Sequence, residues 1–184
     1  MDLDLLATVA AAKPEWHFVM IGPVVKIACS DLPTAANIHY LGGKKYEELP
    51  SYLSGWDVAL LPFALNESTR FISPTKTPEY LAAGLPVVST PITDVVNPYG
   101  KDGHVHIAAT PGKFIQAISE AISTKHSQTR LNKADALLST NSWDLTWRRM
   151  ARLVDDVVRQ RGHNLRLRQD RGKLSRSSPS AQAD

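Results

Sequence analysis

Cysteine is nearly absent. Cys29 is the only one in 184 residues, which excludes an internal disulfide and points to a reducing compartment. No apolar stretch approaches the roughly 20 residues that a membrane-spanning helix needs. The opening Met1-Asp2-Leu3-Asp4 lacks the basic start and apolar core of a secretion signal, so a cytoplasmic setting is expected. Neither the dinucleotide-binding nor the P-loop glycine spacing occurs, and no internal repeat is visible. An excess of charge is missing from the part expected to fold. The chain carries +3, but residues 159–184 hold seven Lys/Arg against Asp170 and Asp184, a net of +5, so residues 1–158 are net −2. No nucleic-acid surface is expected of them. The basic stretch 159–184 reads as a solvated, disordered tail, in which the one contact to consider is a weak one with an anionic membrane.

What is present suits one globular domain: 43% of residues are hydrophobic and 21% charged, enough chain for a core and too little for a second complete domain. Short aliphatic runs, read as strands, cover 17–21, 38–41, 57–63, 86–89 and 104–108. Between them lie helical patterns at 2–12, 46–54, 92–97, 111–123 and 131–138, and a long one from Ser142 whose Trp143, Trp147, Met150, Val154, Val157 and Val158 form one apolar stripe. A stripe of this kind is usually core. The alternation predicts an α/β fold with a parallel sheet and helices on both faces. Val24–Ala28 reads as a further short extended piece.

Two metal readings fail on inspection. Asp2-Leu3-Asp4 opens a helix instead of ending a strand, and His104 and His106, on one face of a strand, have no Cys, Asp or Glu nearby to complete a ligand set.

The chemistry concentrates between Asn66 and Thr90. Ser73-Pro74 and Thr77-Pro78 are each an N-cap residue followed by Pro at the first helical position, and Gly84-Leu85-Pro86 is a stop signal. A helix therefore starts at one of these two caps, directly after a strand. Backbone N–H groups, the hydroxyls of Ser73, Thr75 and Thr77, and the Lys76 ammonium would converge there, a favourable place for a diphosphate. Glu79, in the first turn from the second cap, suits a ribose. Gly22-Pro23 ends the first strand in a sharp turn, and Gly42-Gly43 with Lys44 and Lys45 bends the chain after the second. Such turns face the ligand crevice of doubly wound folds.

The segment Ser73-Pro-Thr-Lys-Thr-Pro-Glu-Tyr-Leu-Ala-Ala-Gly-Leu-Pro-Val-Val-Ser-Thr-Pro91 resembles the donor site of GT-B glycosyltransferases, in the retaining group that uses nucleotide-activated sugars. Trp16–Pro23, Asn37–Gly42 and Tyr46–Tyr52 are similar to other pieces of that family, in its order. The resemblance spans 2–158 and implies the C-terminal, donor-binding half of such an enzyme, with a Rossmann-like fold over 1–158. It implies a nucleoside diphosphate sugar, UDP-linked, as substrate and no metal. Lys76 and the amides near Thr75 would meet the diphosphate, Glu79 the ribose, and the Gly42 loop the base. Within the same fold a nucleotide sugar epimerase is the alternative; from another class, a non-catalytic nucleotide-binding or interaction module. Many relatives carry a second glutamate eight positions before the one matched by Glu79. Here that place is Phe71, and Glu67 reaches it only if the loop bends inward. The family's first C-domain strand and its acceptor domain would precede residue 2, so the isolated chain is expected to be inactive, with glycan or lipid acceptors bound by that other domain.

Overall fold

The computed structural model describes residues 1–174 apart from 26 and 141, with side chains as far as Arg161. Residues Met1–Leu138 form one compact unit and a second begins at Ser139.

In the first unit the chain opens with α1 (Leu3–Ala12), capped by the Asp2 carboxylate, which accepts the Leu5 N–H at 2.9 Å. Its far end is closed by a residue distant in sequence. The buried Asn37 side chain donates to the carbonyls of Ala10 in α1 and of Lys13 and Trp16 beyond it at 3.0–3.1 Å, which ties the exit of the helix to the chain before β2. Asn37 immediately precedes β2 (Ile38–Tyr40), which pairs in parallel with β1 (Phe18–Met20). A second parallel ladder runs β3–β4–β5, formed by Ala59–Leu61, Val87–Ser89 and Val105–Ile107. Between them lie α2 (Leu49–Leu53), α3 (Lys76–Ala82) and α4 (Thr93–Val95), and after them α5 (Pro111–Ser123) and α6 (Gln128–Ser139).

The two-residue period of a strand divides the apolar side chains between two cores. Val88 joins Phe18 and Ile38 beneath α1 and α5, whose Val9, Phe114 and Ala121 are almost wholly buried, while Leu60 packs beside them. Ala59, Leu61 and Val87 face the other way, against Leu81 of α3, Val95 of α4 and Ala134 of α6. Helices thus cover both faces of a parallel sheet, as the unbroken aliphatic runs predict. Burying side chains such as Phe114 or Val88 is worth about 1.5–3 kcal/mol each.

Several expectations shift. The helix over 46–54 divides into a 3-10 turn, Tyr46–Glu48, and α2, because Pro50 starts a helix more readily than it continues one. Among the described residues of 24–28, none forms a strand. The helix expected at 131–138 begins three residues earlier, at Gln128, with the Ser127 hydroxyl accepting the Arg130 N–H at 3.4 Å.

In the second unit, α7 (Trp143–Leu174) is capped by Ser142, whose hydroxyl accepts the Leu145 N–H at 3.2 Å. Its apolar stripe is not core: Trp143 is 86% and Trp147 67% exposed. Nor does the chain lose regular backbone at Arg159. The Arg, Leu and Gln residues that follow are good helix formers and the helix continues to Leu174. Residues 175–184 of the expected tail lie outside the described residues. No helix among the described residues is long and apolar enough to cross a membrane.

Candidate functional site

Parallel pairing brings the C-terminal ends of neighbouring strands together, and the loops leaving those ends build the site. Two buried hydroxyls fix the frame at β3 and β4. Thr90 accepts the Phe63 N–H at 3.0 Å and lies 2.9 Å from the Phe63 carbonyl, while Ser89 donates to the Thr90 carbonyl at 2.8 Å. The loop from Pro62 to Thr75 therefore leaves from a rigid anchor.

That loop delivers the chain to α3, which starts at Lys76, between the two expected caps. Thr75 occupies the N-cap position in helical conformation (φ −63°, ψ −21°) and makes no capping hydrogen bond through its side chain. The start differs from both sequence alternatives because Thr77 is pulled inward. It is completely buried, and its hydroxyl has no hydrogen-bond partner. Of the three hydroxyls expected to converge, those of Ser73 and Thr75 are exposed and that of Thr77 is not on the surface. Pro74 is half-buried beside them. The amide supply is also smaller than expected: the Thr77 N–H turns to the Pro74 carbonyl at 3.3 Å and Pro78 has none, leaving the amides of Thr75 and Lys76. Lys76 and Glu79 are both exposed, the second in the first turn as expected. A helix of seven residues has a short dipole, so attraction for an anion here comes mainly from the Lys76 ammonium.

The far end of α3 is held by Arg130. Its guanidinium donates to the carbonyls of Gly84, Lys125 and Thr124 at 2.6, 2.8 and 3.3 Å. Burial lowers its pKa from the ordinary guanidinium value. Gly84 has φ +74°, the left-handed cap expected of a stop signal. Tyr80, on the same helix, meets the Trp56 ring edge-on at 6.3 Å.

The two glycine turns form a second group. Gly22 (φ +140°) and Gly42 (φ +67°) end β1 and β2, and the Gly22 N–H donates to the Gly42 carbonyl at 2.9 Å. The structure therefore brings together the two loops that the sequence singles out separately, with Pro23 exposed beside them. Lys44 does not stand free over an anion cradle, since its ammonium lies 5.7 Å from the centre of the Tyr52 ring. Among the described residues, no hydrogen bond or ion pair joins this group to Ser73–Glu79.

A third feature has no direct forewarning in the sequence. A cavity of about 420 Å³ opens between the loop after β3 and the chain after β4, lined by Asn66, Glu67, Thr69, Arg70, Ile92 and Thr93 among others. Its inner turn is closed by a reciprocal pair in which Asn66 Oδ1 accepts the Thr69 N–H at 3.2 Å and Thr69 Oγ1 accepts the Asn66 N–H at 3.0 Å. The Asn-x-x-Thr spacing is the signal that could have found it. Glu67 lines this cavity, 3.4 Å from the Arg70 guanidinium, while Phe71 is 81% exposed. The Glu67 side chain is 84% exposed, so the inward bend that it would need is absent here.

Among the described residues no group of three or more His, Cys, Asp or Glu could hold a metal. His106 lies 3.8 Å from Glu120.

A family model described as "Glycosyl transferases group 1" matches residues 3–124. The chain is 24% identical over 160 residues to the putative teichuronic acid biosynthesis glycosyltransferase TuaH of Bacillus subtilis (strain 168), which covers 82% of this chain and 39% of that protein. Among solved structures it is similar to WaaG, a glycosyltransferase involved in lipopolysaccharide biosynthesis, with a TM-score of 0.50, 17% identity, and coverage of 78% of this chain and 40% of that one. The second likeness concerns the fold alone. The chain spans about two fifths of the length of each.

Proposed function

The chain belongs to the group 1 glycosyltransferases, with the α/β architecture of a GT-B glycosyltransferase domain, and from that premise we propose that it holds a nucleoside diphosphate sugar at the start of α3. The observation that carries this reading is the placement of an exposed Lys76 at the first position of α3, beside the exposed Ser73 and Thr75 and one turn before the exposed Glu79. A diphosphate needs a cation and hydroxyl or amide donors, and a ribose needs a carboxylate acceptor within a few ångströms of them. The segment supplies these in that order.

As the bond between the anomeric carbon and the diphosphate breaks, negative charge gathers on the departing oxygen. The Lys76 ammonium neutralises it, so the chain's own contribution is electrostatic and requires no metal. Glu79 anchors the ribose hydroxyls, and the Gly22-Pro23 and Gly42 turns form the floor under base and phosphate. The nucleotide is UDP on this reading, and the region to 158 acts as a donor-binding half. With Lys76 and Glu79 open to water, the chain alone does not enclose an anomeric centre, so purified 1–184 transfers no sugar above background. Calorimetric titration with UDP and with uridine tests the assignment: UDP should bind more tightly, and Lys76→Ala should remove the difference.

A further inference from the structure

His17 and His39 lie twenty-two residues apart in sequence, and their ring nitrogens meet. Nδ1 of His17 stands 3.0 Å from Nε2 of His39, with ring centroids 5.2 Å apart and the planes inclined by 31°. The register of the first ladder explains the meeting. Val19 pairs with His39, and His17 stands two residues before Val19, so both imidazoles rise from the same side of neighbouring parallel strands. That side is opposite the one on which Phe18 and Ile38 enter the first core. His17 is exposed and His39 half-buried, so the pair is open to solvent at one edge.

We propose that these two histidines form a binding site for a divalent first-row transition cation, separate from the donor site. Imidazole nitrogens bind such ions at about 2.0–2.1 Å, and two of them in cis positions at about 90° stand roughly 3.0 Å apart. The observed separation fits that geometry and is shorter than the roughly 3.3–3.4 Å of a tetrahedral pair at the same bond lengths. Imidazole pairs suit first-row ions such as Cu²⁺ and Ni²⁺, with water filling the remaining positions on the exposed side. No large rearrangement is needed, because the parallel ladder already holds the two nitrogens together. On binding, the ring that donates this hydrogen bond would carry its proton on its other nitrogen instead, so that both facing nitrogens offer lone pairs and no net proton is released. The bound ion would clip β1 to β2 near the start of the ladder. His106 is directed instead toward Glu120, 3.8 Å away.

The test uses the untagged full chain, titrated with Ni²⁺ and then Cu²⁺ in a non-chelating buffer. One equivalent should bind, Cu²⁺ more tightly than Ni²⁺ and Ni²⁺ more tightly than Co²⁺. His17→Ala and His39→Ala should each weaken Ni²⁺ binding by at least about tenfold, a loss seen even for outer partners of a metal ligand. The double variant should be no worse than either single one, because both rings are needed for the chelate. His104→Ala and His126→Ala should bind as the parent does. A melting curve supplies a second readout, in which Ni²⁺ raises the transition of the parent and leaves that of His39→Ala unchanged. Equal Ni²⁺ affinity in the parent and both single variants, or an equal loss on removing His104, would overturn the site. Neither result bears on UDP binding, so the donor-site assignment stands or falls separately.

Discussion

Lys76 and Thr77 are consecutive residues at the start of α3, yet the ammonium of the first lies in solvent and the hydroxyl of the second is completely buried without a partner. A buried hydroxyl that bonds to nothing gives up its hydration and gains nothing in return. The segment thus has one side toward solvent and one toward the core, and a single residue step separates them.

Thr77→Val should leave stability unchanged or raise it by up to about 1 kcal/mol, since it replaces an unpaired hydroxyl with a methyl group of similar size. Nucleotide affinity should not change, because the hydroxyl does not reach the surface. Thermal unfolding and UDP titration of the variant measure the two effects. A tenfold loss of UDP affinity in a stable Thr77→Val chain would show that the hydroxyl turns outward to the ligand.

Lys76→Ala and Glu79→Gln should separate phosphate from ribose. The lysine change should weaken UDP by roughly 1.5 kcal/mol, the low end for a charged hydrogen bond because Lys76 is exposed, and leave uridine as before. Glu79→Gln should weaken both ligands alike, since both carry the ribose. General damage to the helix cannot produce this crossed pattern. If Lys76→Ala costs uridine as much as UDP, the helix start is not a diphosphate site.

The fold was largely legible because buried parallel strands are continuous aliphatic runs, as in Pro86-Val-Val-Ser89, and because α1 and α5 carry their caps and apolar faces in plain sequence. Helix limits near proline were less legible. Ser73-Pro74 and Thr77-Pro78 offered two starts of equal local merit, and burial of Thr77 selected a third. The Thr90–Phe63 and Asn37–α1 hydrogen bonds, which set the frame of the site, join residues 27 positions apart and more than 20 apart, respectively. Local spacing carries no trace of such pairs. The cavity at Asn66–Arg70 escaped for the same reason, since Pro91, Ile92 and Thr93 of its wall come from beyond β4.

Gly42→Ala should cost roughly 1–2 kcal/mol of stability, because φ +67° is strained for any residue with a Cβ even though no atom lies within 4 Å of where the Cβ would be. The cost is conformational, so Gly42→Asn, which tolerates the left-handed region, should recover part of it. Denaturant unfolding of the two variants makes the comparison. An alanine variant as stable as the parent would mean that the turn relaxes away from this conformation and that the Gly22–Gly42 bond does not hold it.

Tyr80 makes the last prediction, a loss of stability at high pH. Burial first, and the neighbouring Glu79 charge second, raise its phenol above the ordinary value near 10. In the unfolded chain the phenol ionises at that ordinary value, while in the folded chain it holds its proton longer. The contribution to stability is complete below pH 10 and is lost as the pH rises through the raised folded value, because the unfolded state gives up its proton first. Denaturant midpoints of the parent should therefore fall with pH above about 10. Tyr80→Phe, which keeps the ring against Trp56 and removes the ionisable group, should show a shallower fall over the same window. Tyr40→Phe is the comparison, since burial raises that phenol too but the residue is 38% exposed and belongs to the other ladder. Tyr80→Phe should flatten the curve more than Tyr40→Phe does. Identical curves for the parent and Tyr80→Phe would mean that the phenol reaches water in the folded chain.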